Sequence, residues 1–358
     1  MKKKILISTG GSGGHVIPAV AFYDHLKNNF EVYLTLDKRG SKFINQNKYK
    51  FEIISAPRLT LNFLKLPLIF IRLIFSIFRS IFLLKNNKID ILLGTGGYMS
   101  VPMCIAAKIL NIKIYLFEPN MVIGRANRFL LKFSNRIFCY SDEIINFPKK
   151  NKNKVILINH ILRKEIYNLS IFTKEKIENK IKLLIIGGSQ GARVFDEGIK
   201  NSILKISKRY NLIVYHQVSS SDFKNLKFFY NENNIENRLF NFEENIFQYI
   251  NEANLAITRA GASTLSELAF LKVPFIAIPY KFATDDHQLQ NALYYERAEC
   301  CWILKEKEFN KDKLSTFLIS IIENKVDYLN KKKNLEKFCY QNSWNKINEK
   351  VIGSLNEN

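Results

Sequence analysis

Three glycine-rich stretches hold the residues of this chain best suited to chemistry: TGGSGGH at 9–15, GTGGY at 94–98 and GGSQGAR at 187–193. Glycine lets the backbone turn tightly and approach a ligand closely. Where such a loop feeds a helix, the first N–H groups and the positive end of the helix dipole bind phosphate without a charged side chain. Three loops of this kind imply more than one anionic ligand. His15 closes the first of them, ahead of Val16-Ile17-Pro18, which puts an imidazole at a helix start beside the anion. It can cap the helix or brace the loop, act as a general base, or bind a diphosphate.

Spacing removes several alternatives. After Gly11 and Gly13 the third glycine position of a dinucleotide fingerprint is occupied by Val16, and no Walker lysine follows any loop. Gly187, Ser189 and Gly191 satisfy G-x-S-x-G, yet a hydrolase would have to draw its acid and its histidine from one short stretch, Asp285 to His287. The densest polar constellation is TRAGASTLSELA at 258–269, in which Thr264 and Glu267 match a capping box while Arg259, Gly261 and Ala262 are left unexplained by it. PYKFATDDHQLQNA at 279–292 adds Gln288 and Asn291, neutral amides suited to sugar hydroxyls and acetamides.

Each loop needs a strand to end before it. Apolar runs at 4–8, 31–36, 89–94, 113–118, 136–141 and 155–158 form one series, and runs at 183–186, 211–217, 254–258, 274–279 and 301–304 a second. Runs without polar alternation predict strands buried on both faces of parallel sheets. Two βαβ series, each opening with a glycine loop, predict two Rossmann-like domains joined near Leu162. The expected division is 1–162 and 163–339, with a C-terminal helix at about 340–358 returning to the first domain.

With 358 residues, 47% hydrophobic and 24% charged, the chain has ample material for two cores. Its charge is unusual: 54 Lys and Arg stand against 32 Asp and Glu, a formal +22. Two readings stand: a compositional bias toward Lys, Asn and Ile with no functional demand, and attraction to a polyanion or an anionic membrane surface. No basic run follows a nucleic-acid-binding module, so nucleic acid is not an expected partner. The five cysteines show no C-x-x-C pair and read as reduced core residues. The apolar run after Lys2, Lys3 and Lys4 is too short for a signal core, and no export is expected.

The most apolar segment is FLKLPLIFIRLIFSIFRSIFLL at 63–84. On a helix starting after Pro67, Arg72, Ser76, Arg79 and Ser80 gather into one polar stripe. The segment reads either as a doubly buried core helix or as a helix with one face on the sheet and the rest at a membrane interface, rimmed by Arg72, Arg79, Lys85 and Lys88. Two arginines in a span would each cost roughly 2.5 to 3.5 kcal/mol near a bilayer centre.

Together, the three loops, FEPN at 117–120, RAGASTLSE at 259–267 and DHQLQNA at 286–292 resemble the MurG family. These are bacterial transferases that move N-acetylglucosamine from UDP-GlcNAc to undecaprenyl-diphosphoryl-N-acetylmuramoyl-pentapeptide in peptidoglycan synthesis. The resemblance runs from residue 4 to about 301 in matching order, and little of it lies in the last fifty residues. It implies an α/β chain of the GT-B fold, two Rossmann-like domains with parallel sheets facing a central cleft, and an inverting reaction with neither metal nor cofactor. The adjacency of Asp285 and Asp286 agrees, since it makes no D-x-D motif.

Carried over by position, the resemblance implies Ser189 on the α-phosphate, Glu267 on the ribose, Ala262, Ser263, Thr264, Leu265 and Ser266 around the diphosphate, and Gln288 and Asn291 on the GlcNAc. Ser12, Gly13, Gly14 and Asn120 match further UDP-GlcNAc positions, and Arg163 a nucleotide-contacting arginine. Gly96, Gly97 and Tyr98 fall to the acceptor diphosphate, and His15 is the candidate base. The implied partners are UDP-GlcNAc, the undecaprenyl-diphosphate-linked acceptor and an anionic membrane surface, with a peripheral location on the cytoplasmic face of the inner membrane. The chain departs from the pattern at His160-Ile161, where Asn-Pro is usual, at Pro119, where Gln is common, and at FEENI, 242–246, near the uracil. The rival within the fold is a UDP-GlcNAc 2-epimerase or another glycolipid glycosyltransferase sharing the donor motif. A polyanion-binding protein is the rival outside enzymes.

Overall fold

The computed structural model describes residues 2–54, 56, 66–169, 180–188, 193–241, 243–308, 311–340 and 342–357. The chain divides into two compact units, Met1–Tyr167 with Asn342–Asn358, and Asn168–Gln341.

Unit 1 contains β1 (Lys4–Ser8), β2 (Glu31–Leu36), β3 (Glu52–Ile53), β4 (Ile91–Gly94), β5 (Lys113–Glu118), β6 (Arg136–Cys139) and β7 (Val155–Leu157). They form one parallel sheet in the order β3-β2-β1-β4-β5-β6-β7. Its helices are α1 (Gly13–Leu26), α2 (Leu66–Asn86), α3 (Ser100–Ile109), α4 (Arg125–Leu130) and α5 (Lys164–Tyr167). Unit 2 repeats the plan with β8 (Lys180–Ile186), β9 (Asn211–Gln217), β10 (Glu236–Phe240), β11 (Leu255–Thr258), β12 (Phe275–Ala277) and β13 (Cys301–Ile303), ordered β10-β9-β8-β11-β12-β13. Its helices are α6 (Arg193–Gly198), α7 (Lys200–Ser207), α8 (Phe223–Glu232), α9 (Ile246–Glu252), α10 (Ala262–Phe270), α11 (His287–Arg297), α12 (Lys311–Glu323), α13 (Lys325–Asn334) and α14 (Glu336–Cys339). The final helix, α15 (Trp344–Asn356), belongs to unit 1.

In each sheet the strand order reverses direction between a first strand and a later neighbour, β1 against β4 and β8 against β11. Ligands of open parallel sheets bind beyond the strand ends at such a switch. The glycine stretches at 9–15 and 94–98 leave β1 and β4, Gly187 and Gly188 follow β8, and 259–261 follow β11. The polar motifs therefore stand where the topology opens each sheet.

Strand alternation sorts the core of unit 1 into two layers. Ile5 and Ile7 pack with Phe22, Phe117, Phe138 and the α15 residues Ile347, Val351 and Leu355, while Leu6 packs with Leu92, Leu116, Met103 and Leu84 on the other face. Spaced four apart, the three α15 residues make one apolar stripe. Trp344 adds a stacked contact with His25, ring centroids 3.6 Å apart.

Two strands absent from the sequence reading, β3 and β10, are both sheet edges. Both residues of β3 are exposed, and β10 carries Glu236 and Arg238, so neither presents the unbroken apolar run of a central strand.

Helix α2 overturns the core reading of the apolar segment; its first residues, 63–65, lie outside the described residues. Phe75 and Phe78 are 71% and 66% exposed, with Phe70, Ile71 and Phe82 alongside them. The polar stripe also splits. Arg72 and Arg79 are exposed, whereas Ser76 and Ser80 are buried and donate to the carbonyls of Arg72 and Ser76, each at 2.8 Å. The reason is steric: α2 packs against α3, which buries Ala106 and Ala107, and small side chains let the helices approach. A serine whose hydroxyl bonds the carbonyl four residues back can be buried without an unsatisfied group.

Candidate active site

In unit 1 the first glycine loop is pinned by Asp37, just beyond β2. Its Oδ1 accepts from the N–H of Gly11 at 2.8 Å and of Gly40 at 2.7 Å. A Cβ on Gly10 would stand 2.8 Å from the same oxygen and 2.9 Å from Met99 Cγ, so the loop closes only with glycine there. Arg39 Nε donates to Asp37 Oδ2 at 3.3 Å, and its guanidinium lies 5.4 Å from the centre of the Tyr98 ring. Ser12 is the N-cap of α1, with its carbonyl accepting from the N–H of His15 and Val16. The N–H groups of Gly13 and Gly14 thus occupy the first turn, the anion-binding end of a helix.

Helix capping belongs to Ser12, which removes one of the readings of His15. The loop-bracing role is met: His15 Nδ1 lies 3.0 Å from the Thr95 carbonyl oxygen, while Thr95 Oγ1 donates to the His15 carbonyl at 3.2 Å. Because a carbonyl only accepts, Nδ1 carries the proton in the neutral ring and the lone pair is on Nε2. Gly96 (φ +93°) and Gly97 (φ +76°) fold around the imidazole; a Cβ on Gly96 would come within 3.2 Å of Nδ1 and Cε1, and one on Gly97 within 3.7 Å of Nε2. The second glycine loop is shaped to the ring.

The FEPN turn is organised by Glu118, the buried last residue of β5. Its Oε1 accepts from Asn120 N at 3.2 Å and Nδ2 at 2.9 Å, and its Oε2 from Gly124 N at 2.8 Å and Asn127 Nδ2 at 2.9 Å. That Asn127 nitrogen also lies 3.4 Å from the Cβ position of Gly96. His15, the Gly96 loop and the Asn120 turn are thereby one contiguous cluster. Arg163 is half-buried immediately ahead of α5. Asp37 and Asn127 are absent from the sequence reading, and Glu118 stands in it only as a letter of FEPN with no role; the available signal for the two acids was a carboxylate at or just past the end of an apolar strand.

In unit 2 the capping-box reading is corrected. The N-cap of α10 is Gly261, whose carbonyl accepts from Leu265 N at 3.0 Å, and Thr264 is the third helical residue. Ala262, Ser263 and Thr264 are half-buried on the first turn, beside a Gly261 whose missing Cβ faces open space. Leu265 is core, and Ser266 Oγ donates back to the Ala262 carbonyl at 2.8 Å. Glu267 is buried one turn further on. Ser189 lies outside the described residues, as does Phe242 of the segment compared with the uracil contact; Gly187 and Gly188 follow β8 directly.

Helix α11 is entered through Asp285 and Asp286, both with positive φ (53° and 52°). Its two amides tie it to neighbouring strand ends. Gln288 Oε1 accepts from Tyr280 N at 2.9 Å, and the buried Asn291 donates from Nδ2 to the Ala260 carbonyl at 3.1 Å. These bonds orient the amides, turning Gln288 into a donor and Asn291 into an acceptor toward other partners.

Residues 5–139 match the glycosyltransferase family 28 N-terminal domain and residues 182–345 the family 28 C-terminal domain. The chain is 50% identical over 358 residues to the UDP-N-acetylglucosamine–N-acetylmuramyl-(pentapeptide) pyrophosphoryl-undecaprenol N-acetylglucosamine transferase of Pelagibacter ubique, covering 100% of both. It is 36% identical over 327 residues to the transferase of the same name from Rickettsia canadensis, covering 90% of this chain and 91% of that one. Among solved structures it is similar to Acinetobacter baumannii MurG, with TM-score 0.74, 22% identity and 99% of both chains covered. It is also similar to a UDP-GlcNAc 2-epimerase from Neisseria meningitidis, with TM-score 0.66, 12% identity, and 99% of this chain and 100% of that one covered. Both structural likenesses bear on fold alone, so shape does not separate transferase from epimerase. Full-length identity to the transferases does.

Proposed function

The chain belongs to the MurG family, within glycosyltransferase family 28, and from that premise we propose that it transfers GlcNAc from UDP-GlcNAc to polyprenyl-diphosphoryl-N-acetylmuramoyl-pentapeptide with inversion at the anomeric carbon. The observation that carries this is the 50% identity over the whole chain to a transferase of that name.

The acceptor hydroxyl attacks the anomeric carbon and gives its proton to His15 Nε2, while UDP departs from the opposite face. Support for this role is the Nδ1–H held by Thr95 O at 3.0 Å, which keeps the lone pair on Nε2. The leaving diphosphate gains negative charge as the bond breaks, and the first-turn N–H groups at Ala262, Ser263 and Thr264, with the glycine loop containing Ser189, stabilise that charge where it develops. Glu267 takes the ribose hydroxyls, and Gln288 and Asn291 the sugar. Ser12, Gly13, Gly14, Asn120 and Arg163 complete the donor contacts, and Gly96, Gly97 and Tyr98 hold the acceptor diphosphate.

The lipid tail of the acceptor requires a membrane, and unit 1 carries the surface suited to one. Helix α2 docks on the anionic cytoplasmic face of the inner membrane through its exposed Phe and Ile side chains, with Arg72, Arg79, Lys85 and Lys88 toward the headgroups. By length and hydropathy, Pro67–Asn86 suffices to cross a bilayer. The Ser76–Ser80 seam on α3 favours lying in the interface, since a spanning helix would have to leave it.

The deciding experiment incubates the protein with radiolabelled UDP-GlcNAc and a synthetic polyprenyl-diphosphoryl-MurNAc-pentapeptide. Label in the lipid product is the expected result. UDP release without lipid labelling, or epimerised sugar, would overturn the assignment.

A further inference from the structure

Arg259 follows β11 and opens the RAGAST turn, where a cation invites the reading that it neutralises the donor diphosphate. Its surroundings give it different work. The residue is 8% exposed. Its Nη1 donates to Glu306 Oε2 at 2.6 Å, to the Ile278 carbonyl at 3.1 Å and to the Pro279 carbonyl at 3.5 Å. The rings of Phe195 and Tyr280 lie 5.1 and 5.3 Å from the guanidinium carbon. A buried guanidinium paired with a carboxylate, bonded to backbone oxygens and flanked by aromatic rings has its charge compensated within the protein.

These contacts join four successive strand exits. Phe195 is on α6, behind β8; Arg259 is behind β11; Ile278, Pro279 and Tyr280 are behind β12; and Glu306 is behind β13. Both amides of α11 hang from the same segments. Tyr280 N donates to Gln288 Oε1, and Ala260, the residue after Arg259, accepts from Asn291 Nδ2. A shift of the arginine moves both attachment points together, whereas the first turn of α10, capped by Gly261, has its own backbone bonds.

We propose that Arg259 and Glu306 form a buried ion pair that sets the positions of Gln288 and Asn291, so that both are positioning residues for the sugar end of the donor and not ligands of its diphosphate. The proposal rests on the reading of unit 2 as the donor half-site. It makes the specificity of sugar binding depend on Glu306, a residue outside every glycine loop and every motif of the sequence.

The test measures UDP and UDP-GlcNAc affinities by calorimetry on the full-length protein, its Glu306→Ala variant and its Glu306→Gln variant. Expected in Glu306→Ala is a loss of about tenfold in UDP-GlcNAc affinity, the worth of roughly one hydrogen bond, with UDP affinity within twofold of the parent. Glu306→Gln keeps an acceptor oxygen for Arg259 and should recover most of the loss. It also serves as the readout should Glu306→Ala fail to fold, with a smaller loss confined to UDP-GlcNAc. Tighter UDP binding in either variant would mean that Arg259, once released, is a diphosphate ligand, and would overturn the proposal. Equal losses for both ligands, or no change for either, would overturn it as well. A parent protein that bound neither UDP nor UDP-GlcNAc would overturn the donor-site reading itself.

Discussion

The two units share a strand order yet brace their loops with charges of opposite sign. In unit 1, Asp37 and Glu118 are acceptors that hold loop N–H groups at Gly11, Gly40, Asn120 and Gly124. In unit 2, Arg259 is a donor that holds loop carbonyls at Ile278 and Pro279. The carboxylate braces take up loop N–H groups around the imidazole of the proposed base and leave those of Gly13 and Gly14 on the first turn of α1. A guanidinium brace uses up backbone acceptors and leaves the N–H groups of the neighbouring helix start for an anion. The brace chemistry accords with the proposed placing of the base in unit 1 and of the leaving diphosphate in unit 2, although the topology of the two halves is alike. The outer surfaces differ too. Unit 1 shows a row of exposed aromatic and aliphatic side chains along α2, whereas those of unit 2 come singly or in pairs: Phe228, Tyr280 with Phe282, Val326 with Leu329, and Tyr340. Scattered apolar residues are ordinary on a surface, and a contiguous row marks an interaction site.

The surface difference is broken most completely by Phe75→Asp with Phe78→Asp. Losing two buried phenylalanines costs roughly 3 to 6 kcal/mol of membrane association at about 1.5 to 3 kcal/mol each, or about 10² to 10⁴ in partitioning. Both side chains are exposed, so folding and UDP binding should be unchanged. Flotation with phosphatidylglycerol vesicles checks this. In the parent protein, binding should weaken with salt without vanishing, because only the cationic rim is screened. A double variant that still floats with the vesicles would remove α2 from the interface.

Next in size is His15→Ala, which should lower kcat by about 10² to 10⁴ while leaving donor affinity alone, since the proposed work of the imidazole is on the acceptor hydroxyl and it is placed on no group of the donor. Steady-state kinetics with both substrates varied separates this from a raised acceptor KM at unchanged kcat, which would make the imidazole a diphosphate ligand and erase the proposed division of labour.

A smaller effect is expected of Glu267→Ala. With water replacing one of its charge-assisted bonds to the ribose, the net loss is roughly 1.5 to 3 kcal/mol, so UDP affinity should fall about 10- to 10²-fold. Binding within twofold of the parent would take Glu267 off the ribose.

Whether these features can be read from sequence depends on how local their causes are. Central strands β1, β4 and β8 show as unbroken apolar runs because both faces are buried. The edge strands β3 and β10 escape notice because exposure dilutes the pattern with Glu52, Glu236 and Arg238. A helical wheel grouped Ser76 with Arg72 correctly in angle but could not say which sector packs. The seam is decided by the small residues of α3, thirty positions away. Glycine loops announce themselves, since the backbone demand is local. Asp37 and Glu306 do not, because each brace joins segments that only the sheet brings together, whereas Glu118 braces its own turn through Asn120, Gly124 and Asn127.

The smallest expected effect concerns pH and again divides the units. Burial holds His25 and His160 in unit 1 down at about 4, and His216 in unit 2 at about 3. In the unfolded chain a histidine takes up its proton near pH 6.5. As pH falls below that value the unfolded state binds more protons than the folded one, so stability is greatest above about pH 6.5 and declines toward the folded-state values. Each site contributes a slope of up to roughly 1.4 kcal/mol per pH unit. Between pH 6.5 and about 5 most carboxylates stay ionised in both states, so histidines dominate the slope. With two such sites against one, the structure around α1 and α15 should lose protection faster than the structure around β9. Urea unfolding of the full chain at pH 7.5 and 5.0 should show the overall loss. Hydrogen exchange, corrected for the intrinsic pH dependence of amide rates, should place the larger share at His25, where the ring stacks on Trp344 and its Nδ1 lies 2.6 Å from the Asn348 side chain. Equal slopes in the two units would mean that one unit 1 histidine acquires its proton without unfolding, and the natural suspect is His25, because opening α15 alone would bring water to it.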